Sequence, residues 1–487
     1  MYRACIGATG VATWTRSHHT PSYAWVVASL ATLLAACAQT PPVVSISPNY
    51  SQFISGDSRA RPDAPGPSEV EFRTDSASSR SDNSSPYRFS ELYWAAIAEL
   101  DLSGLSRAAE TKPEIGFAEG LALLAQGAQE KAESAFVAAA DQLVDFNVAV
   151  ASRIMLAMTL LYERKWVALR DLSTTLTLNP ADRQHTADLE RWGSAFAGAE
   201  QQVTTFAAKP VLLPMKITAI GTPTIRVRIN GKEYDFWLDT GSSITVLSSD
   251  VASEAQVATI SEEVLRVKTF SGAAPVRPAT IKRMEIGAIV LSNVPAVVMN
   301  AGQMRLQAIV DGRPKVRLNV DGIIGWDTIR QFEVSLDYSG GTIQLARPEI
   351  RETNEAESRN LAWVGKPLVE VRTKLGRILH FTIDTGSQAS FVKASVLNQT
   401  NGYSSSSDIR VFGFAETGSR LNRMVHFLTL NIAGKRLPLQ DVLVYGPPAS
   451  GFINCDGILG SDIGRFGVIR MDATNGIFSI GAEDATE

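Results

Sequence analysis

Cysteine and histidine are scarce in this chain of 487 residues, which holds three cysteines, Cys5, Cys37 and Cys455, and five histidines. Thiols so placed fit neither a zinc cluster nor a disulfide framework, and five histidines, of which only His18 and His19 are neighbours, make no His-rich metal tract. No metal or cofactor is expected. The chain also lacks a Gly-x-Ser-x-Gly elbow, a His-Glu-x-x-His pair and a phosphate loop, which sets aside three large enzyme classes. Charge of one sign is lacking as well: the net charge is −4 and the charged residues are dispersed, so no nucleic-acid footprint stands out. Cys455 adjoins an apolar run and reads as a buried, inert thiol.

What the chain does have is one stretch present twice. Phe236-Trp237-Leu238-Asp239-Thr240-Gly241-Ser242-Ser243 is matched by Phe381-Thr382-Ile383-Asp384-Thr385-Gly386-Ser387-Gln388. In each, an apolar, β-prone run ends in an ionisable Asp followed by a Gly turn. That is poor core design and good active-site design. Each copy has a second half downstream, Val320-Asp321-Gly322-Ile323-Ile324-Gly325-Trp326-Asp327 and Cys455-Asp456-Gly457-Ile458-Leu459-Gly460-Ser461-Asp462, placed 82 positions (321 less 239) and 72 positions (456 less 384) after its Asp. A Gly-bounded apolar pair reads as a buried strand closely approached by other backbone. The segments beginning at Ile329 and Ile463 also repeat, and each leads to a Gly turn and a last strand. The C-terminal part is therefore an internal duplication of a β-rich unit.

Each unit resembles a retropepsin-type aspartic protease lobe, and the pair in one chain resembles the bilobal arrangement of pepsin, over residues 211 to 485. The resemblance implies that Asp239 and Asp384 form a catalytic dyad. It further implies that Thr240 and Thr385 hydrogen-bond across the lobe interface, and that the hydroxyls of Ser242 and Ser387 bond the outer carboxylate oxygens. Gly241 and Gly386 allow the sharp turn while their N–H groups approach the carboxylates. The segment Leu265 to Met284 is expected to form a flap around Phe270 and Gly272. The second flap is expected over Ile409 to Phe414 with Gly418 at its tip. Neither segment contains the Tyr that pepsin-like enzymes carry in the first flap. Asp321 and Asp456 read as turn formers. Asp327 and Asp462 read as helix caps or interlobe ion-pair partners.

Upstream, residues 1 to 23 carry Arg3 and Arg16 and no acidic residue, and Ala24 to Ala36 form a 13-residue apolar run, short for a bilayer span and suited to a signal-peptide core. It ends in Leu34-Ala35-Ala36-Cys37, which resembles the bacterial lipobox. That implies cleavage before Cys37 and acylation of its thiol and new N-terminus, and Ala38 at the next position points to the outer membrane, facing the periplasm. An ordinary secretory signal cut at Ala-x-Ala, giving a soluble periplasmic protein, is the alternative. The stretch from Gln39 to about Tyr87 is rich in Ser, Pro, Asp and Arg and buries too little to offset chain entropy, as in a disordered tether. From Phe89 to about Ala208 the period becomes helical. Gly120, Leu121, Gly127, Ala132, Phe136 and Ala139 fall at tetratricopeptide-like spacing, and Ala168, Leu172 and Pro180 suggest a second unit. Ala132 and Ala168 are 36 positions apart, near the repeat length of about 34. Fewer than three repeats is marginal alone, so these helices should pack on the lobes or dimerise. They form either a protein-binding groove or a plain accessory bundle.

The expected organisation is multidomain, an α-helical tetratricopeptide-like region followed by a mainly-β bilobal acid-protease region (a double retropepsin-like β-barrel). Residues 1–37 form the lipoprotein-type signal, 38–87 the tether, 88–208 the helical domain, 209–348 the first lobe, 349–360 the linker and 361–487 the second lobe. The expected activity is peptide-bond hydrolysis of a peptide or protein substrate by a carboxylate pair sharing one proton. The pair is expected between the two lobes of one chain; the other arrangement pairs identical lobes of two chains. The competing function is a non-catalytic scaffold, in which the helices recruit a partner and the lobes hold a peptide.

Overall fold

The computed structural model describes residues 26–28, most of 93–140, and 146–481 apart from 176–182, 219–220, 270–271, 311–312, 352–358, 398–403, 414–415 and 446–454. Cys37, the tether, Pro180, Phe270, Phe414 and most of the linker lie outside the described residues. Within the early apolar run, Val26–Ala28 forms a short strand parallel to Arg410–Phe412.

Helices come first, at Leu102–Ala108, Lys112–Ala125, Gln129–Ala140, Phe146–Glu163, Trp166–Thr175 and Arg183–Phe196. The second begins at a capping box: Thr111 Oγ1 accepts from the Glu114 N–H at 3.4 Å while Glu114 Oε2 accepts from the Thr111 N–H at 2.9 Å. Such a reciprocal cap satisfies two helix-end donors at once. The small residues sit at close helix contacts. A Cβ on Gly120 would come within 2.4 Å of the Phe136 ring, and one on Gly193 within 2.5 Å of the Arg170 backbone nitrogen. Helices 112–125 and 129–140 thus pack as one hairpin, turned at Gly127 (φ 76°), with Leu121, Ala132, Phe136 and Ala139 buried between them. Helices 166–175 and 183–196 pack as another.

The helical region is joined to the β region by packing as well as by chain. Val203–Thr205 pairs antiparallel with Val290–Ser292 of the first lobe, so the lobe's sheet begins before residue 209. Strand pairing continues past the last helix because an edge strand needs partners for its backbone groups.

Both lobes are built the same way, register for register. In the first, Pro223–Ile229 and Lys232–Leu238 form a hairpin turned at Asn230 and Gly231, with φ of 47° and 90°. Two successive positive φ values are the reason for Asn-Gly at a two-residue hairpin turn. Gly322–Ile324 lies parallel to Phe236–Leu238 and antiparallel to Val246–Leu247. In the second, Gly457–Leu459 lies parallel to Phe381–Ile383 and antiparallel to Phe391–Val392. The leading glycines are required by contact: a Cβ on Gly322 would lie 2.3 Å from the Phe236 ring, and one on Gly457 2.2 Å from that of Phe381.

Each lobe carries a long hairpin of the flap type. Leu265–Thr269 pairs with Gly272–Val276, closing at Thr269 and Gly272, so Gly272 flanks the turn. Ser404–Gly413 pairs with Glu416–Val425, closing at Gly413 and Glu416, and Gly418 lies opposite Val411. Gly418 therefore belongs to the arm and not to the tip. The long uninterrupted ladder sets the register, and moving the turn to Gly418 would shift the whole arm against its partner.

The lobes share a sheet. Glu333–Leu336 of the first pairs antiparallel with Ile469–Asp472 of the second, flanked by Thr342–Ala346 and Val211–Ile217 on one side and Ile477–Gly481 on the other. After the linker, Asn360 clamps the last strand: its Nδ2 donates to Phe478 O and its Oδ1 accepts from Phe478 N–H, both at 2.8 Å. One buried apolar cluster runs through the cores of both lobes, from Ile225 and Phe236 to Phe381 and Phe478.

Candidate active site

Each Asp-Thr-Gly loop springs from the end of a central strand. The Asp239 N–H donates to Ile324 O at 3.0 Å and the Asp384 N–H to Leu459 O at 2.9 Å, so the apolar-apolar-Gly strand fixes where each carboxyl leaves the sheet. The two loops meet between the lobes. Thr240 Oγ1 donates to Ile383 O at 2.9 Å and accepts from the Thr385 N–H at 3.0 Å. Thr385 Oγ1 donates to Leu238 O at 2.6 Å and accepts from the Thr240 N–H at 3.0 Å. Four reciprocal bonds thus lock the loops face to face with a local two-fold relation. Both threonines are buried.

The carboxyls lie against the opposite loop's glycine. A Cβ on Gly241 would meet the Asp384 carboxyl carbon at 2.5 Å, and one on Gly386 that of Asp239 at 2.6 Å. Only glycine leaves room for both carboxyls. Asp239 Oδ1 accepts from the N–H groups of Gly241 at 2.9 Å and Ser242 at 3.2 Å; Asp384 Oδ1 accepts from the Ser387 N–H at 3.0 Å. Asp239 and Asp384 are both buried.

Burial raises both carboxyls above their ordinary range. For Asp239 the loop N–H groups and the Asp384 carboxyl oppose the rise. For Asp384 the negative charge of Asp239 and the bond to it add to the rise. Two adjoining buried carboxyls cannot both ionise cheaply, so the pair retains one proton.

The serines behave differently from the expectation. The Ser242 hydroxyl donates to Ile244 O and the Ser387 hydroxyl to Ala389 O, each at 2.9 Å. Their contacts to the aspartates are made through backbone N–H. A buried hydroxyl takes a carbonyl of its own turn, and Asp239 Oδ2 is left buried without a partner. Sequence reading also missed the outer supports. The Trp326 N–H donates to Ser242 O at 2.6 Å. In the other lobe Ser461 N–H donates to Ser387 O at 2.7 Å, while its hydroxyl reaches Thr385 O at 2.7 Å and Ser387 O at 2.9 Å. Thr222 Oγ1 donates to Gly386 O at 3.3 Å. The repeat alignment flagged positions 326 and 461; nothing flagged Thr222.

Of the other acids, Asp321 Oδ2 accepts from the Asp235 N–H at 3.1 Å and Asp456 Oδ2 from the His380 N–H at 3.0 Å; each ties its loop to the strand beside it. Asp327 is neither a cap nor an interlobe partner. It pairs with Arg164 of the helical region at 3.0 Å, and Gly325, the residue that opens its helix, makes no side-chain cap. Burial pushes Asp327 up, with Arg164 as the strongest opposing charge. Asp462 stays within its lobe, accepting from Ser390 Oγ at 2.7 Å. Arg330 extends the helical contact, its guanidinium 3.6 Å from the centre of the Tyr162 ring, while Tyr162 stacks on Trp363 of the second lobe at 3.9 Å. Cys455 is buried and its thiol donates to Gly457 O at 2.9 Å.

Residues 225–328 match the family of aspartyl proteases. Among solved structures the chain is similar to a retropepsin-like aspartic protease from Rickettsia conorii, at 16% identity over 30% of this chain and 95% of that one with a TM-score of 0.21. It is also similar to the aspartic proteinase from Irpex lacteus, at 12% identity over 57% of this chain and 99% of that one with a TM-score of 0.35. No curated protein sequence matches the chain.

Proposed function

We propose that the chain is an aspartic endopeptidase whose Asp239 and Asp384 together activate water against a peptide bond. The observation that carries this reading is the reciprocal one: each buried carboxyl is packed on the other loop's glycine, and the threonine lock holds the two loops together. A pair holding one proton has both halves of the chemistry. The ionised carboxylate takes a proton from water as its oxygen attacks the carbonyl carbon, and the protonated partner gives its proton to the carbonyl oxygen. Collapse of the tetrahedral species breaks the C–N bond. The amine leaves with a proton and the pair regains its single-proton state. In this reading the two hairpins close over an extended peptide and exclude water. The substrate backbone is expected to pair as a strand does, with alternate side chains in pockets.

The proposal extends to location: a lipid on Cys37 tethers the enzyme to the outer membrane, facing the periplasm, with the helical hairpins as tetratricopeptide-like partner-binding units. Radiolabelled palmitate incorporated by the full chain and lost in Cys37→Ser tests the tether. The activity is tested by incubating the full-length protein with a diverse peptide library from acid to neutral pH, beside Asp239→Asn and Asp384→Asn. Cleavage lost in both variants, with their folds intact, is the expected result. Cleavage retained in either overturns the shared pair, and no cleavage by the folded wild type favours the scaffold reading.

A further inference from the structure

The sheet of the first lobe has two apolar faces, and they have different neighbours. Along Lys232–Leu238 the side chains alternate. Phe236 and Leu238 join the core that runs through both lobes, while Trp237 joins a different cluster with Val246 and Ile323. The same alternation carries Asp239 to the side of Trp237, so this is the face on which a peptide would meet the carboxyl pair. The arms of the first long hairpin share it. Leu265, Val267, Ala274 and Val276 belong to that cluster, whereas Arg266, Pro275 and Arg277 between them are exposed.

The chain itself closes this face. Val267 and Ala274 are 0% and 1% exposed. Their cluster takes in Leu189, Trp192 and Phe196 of the last helix, and that helix packs on Leu265–Thr269. The carboxyls are shut off as well: Asp239 and Asp384 are 0% and 1% exposed, and Asp239 Oδ2 is buried without a partner. Buried oxygens are nearly always paired, and hydrolysis would require water and a peptide carbonyl beside this one. The second lobe is covered differently. Its matching residues Phe391 and Ile458 form a small cluster with Met424 and Leu443 that holds no helical residue. An extended peptide has to touch both halves of a cleft, so a cover on one half is enough to exclude it.

We infer that the helical region is an intramolecular inhibitor, its last helix sealing the first-lobe half of the cleft, and that cleavage is confined to the molecules in which this seal has opened. The inference rests on the peptidase reading above. Apparent activity is then the intrinsic activity scaled by the open fraction, and whatever loosens the helices raises it.

The test inserts a site for a sequence-specific protease between Glu200 and Gln201, both exposed. The folded full-length protein is cut there, leaving the helices held by packing alone, and is then diluted. For one peptide substrate kcat/KM should rise about tenfold or more on cutting, the gain for a chain open one time in ten or less. Trp192→Ala, at the joint with Ile244 and Trp326, should raise it in the uncut chain; the cut protein keeps the test sound should that variant fail to fold. Helices that merely support the lobes predict a fall in both. A readout independent of turnover is amidation of carboxyls by a carbodiimide and a small amine, located by mass spectrometry. Asp239 and Asp384 should be spared in the intact chain and modified after cutting, while Asp250, with a side chain 72% exposed, reacts alike in both. A kcat/KM unchanged or lowered by cutting, or equal modification of the pair before and after, overturns the seal. A pair that becomes reactive on cutting while neither form cleaves any peptide supports the seal and overturns the peptidase reading instead.

Discussion

Replacing Asp239 by Asn should make the protein more stable at alkaline pH while removing its activity. The reason lies in burial. A carboxyl whose folded value is raised binds its proton more tightly in the folded than in the unfolded chain. Its favourable contribution is therefore complete below the unfolded value near 4, and is lost as pH rises through the folded value. Asp239 is fully buried and raised from 3.8 to about 7; at 1.36 kcal/mol per unit the cost of ionising it in place approaches roughly 4 kcal/mol. Sharing a proton with Asp384 reduces this, so a gain of about 1–4 kcal/mol is expected for Asp239→Asn at pH values above about 8. The amide oxygen can still accept from the Gly241 and Ser242 N–H groups, and its NH2 can donate towards Asp384, so no new orphan is created. In a chain of this size the gain amounts to a rise of several degrees in melting temperature. Calorimetry across pH is the assay, with Asp250→Asn as a control because its side chain is 72% exposed. The difference between wild type and Asp239→Asn should shrink to nothing near pH 4. A difference that does not vary with pH, or a variant less stable than wild type at alkaline pH, would refute the buried shared-proton picture.

Three further outcomes follow from the geometry. Gly241→Ala and Gly386→Ala retain both carboxyls but bring a methyl within 2.5 Å and 2.6 Å of the opposite one; each should lower peptide cleavage by at least about 10²-fold, since small misplacements at a reacting centre cost that much. Thr240→Val removes one bond given and one received across the lobes and strands buried backbone groups, costing about 2–4 kcal/mol; Thr240→Ser should recover most of it in a denaturant titration. Arg164→Met leaves Asp327 buried without its partner, with side-chain exposure of 13%, a loss of about 3–5 kcal/mol, which should show as faster proteolytic release of the helices from the lobes.

The lobes were legible because their information is local and written twice. Asn230-Gly231 dictates a hairpin turn by itself, and Gly322 and Gly457 are each followed by an apolar pair that only a buried strand explains. Repetition then sets the register of one unit against the other. Three features were not legible, each for a reason of distance or competition. The role of Gly418 depended on the register of the whole ladder of Ser404–Gly413 against Glu416–Val425, and a glycine inside a strand carries no mark of it. The serine hydroxyls bond a carbonyl two residues on in their own turn, a choice the Asp-Thr-Gly-Ser motif does not mark. The partner of Asp327 lies 163 residues upstream, in a region whose sequence announces helices but says nothing of which face meets the β region.

That last pairing shows how a duplicated unit becomes asymmetric. Position by position the lobes share their strands, their glycines and their Asp-Thr-Gly loops, yet their flanks differ. Trp326 and Asp327 stand on one flank, Ser461 and Asp462 on the other. The consequence extends into the packing: the apolar face around Val246 and Ile323 of the first lobe belongs to the same buried cluster as the helical core, whereas the matching face around Phe391 and Ile458 of the second forms a small cluster of its own. Val246 pairs with Ile323 and Phe391 with Ile458 in the same register, so the difference is not one of fold. Among the described residues it goes with the helical core that packs against the first face. The bonds from Trp326 to Ser242 and from Ser242 N–H to Asp239 give the helices a route to the carboxyl pair through the first lobe.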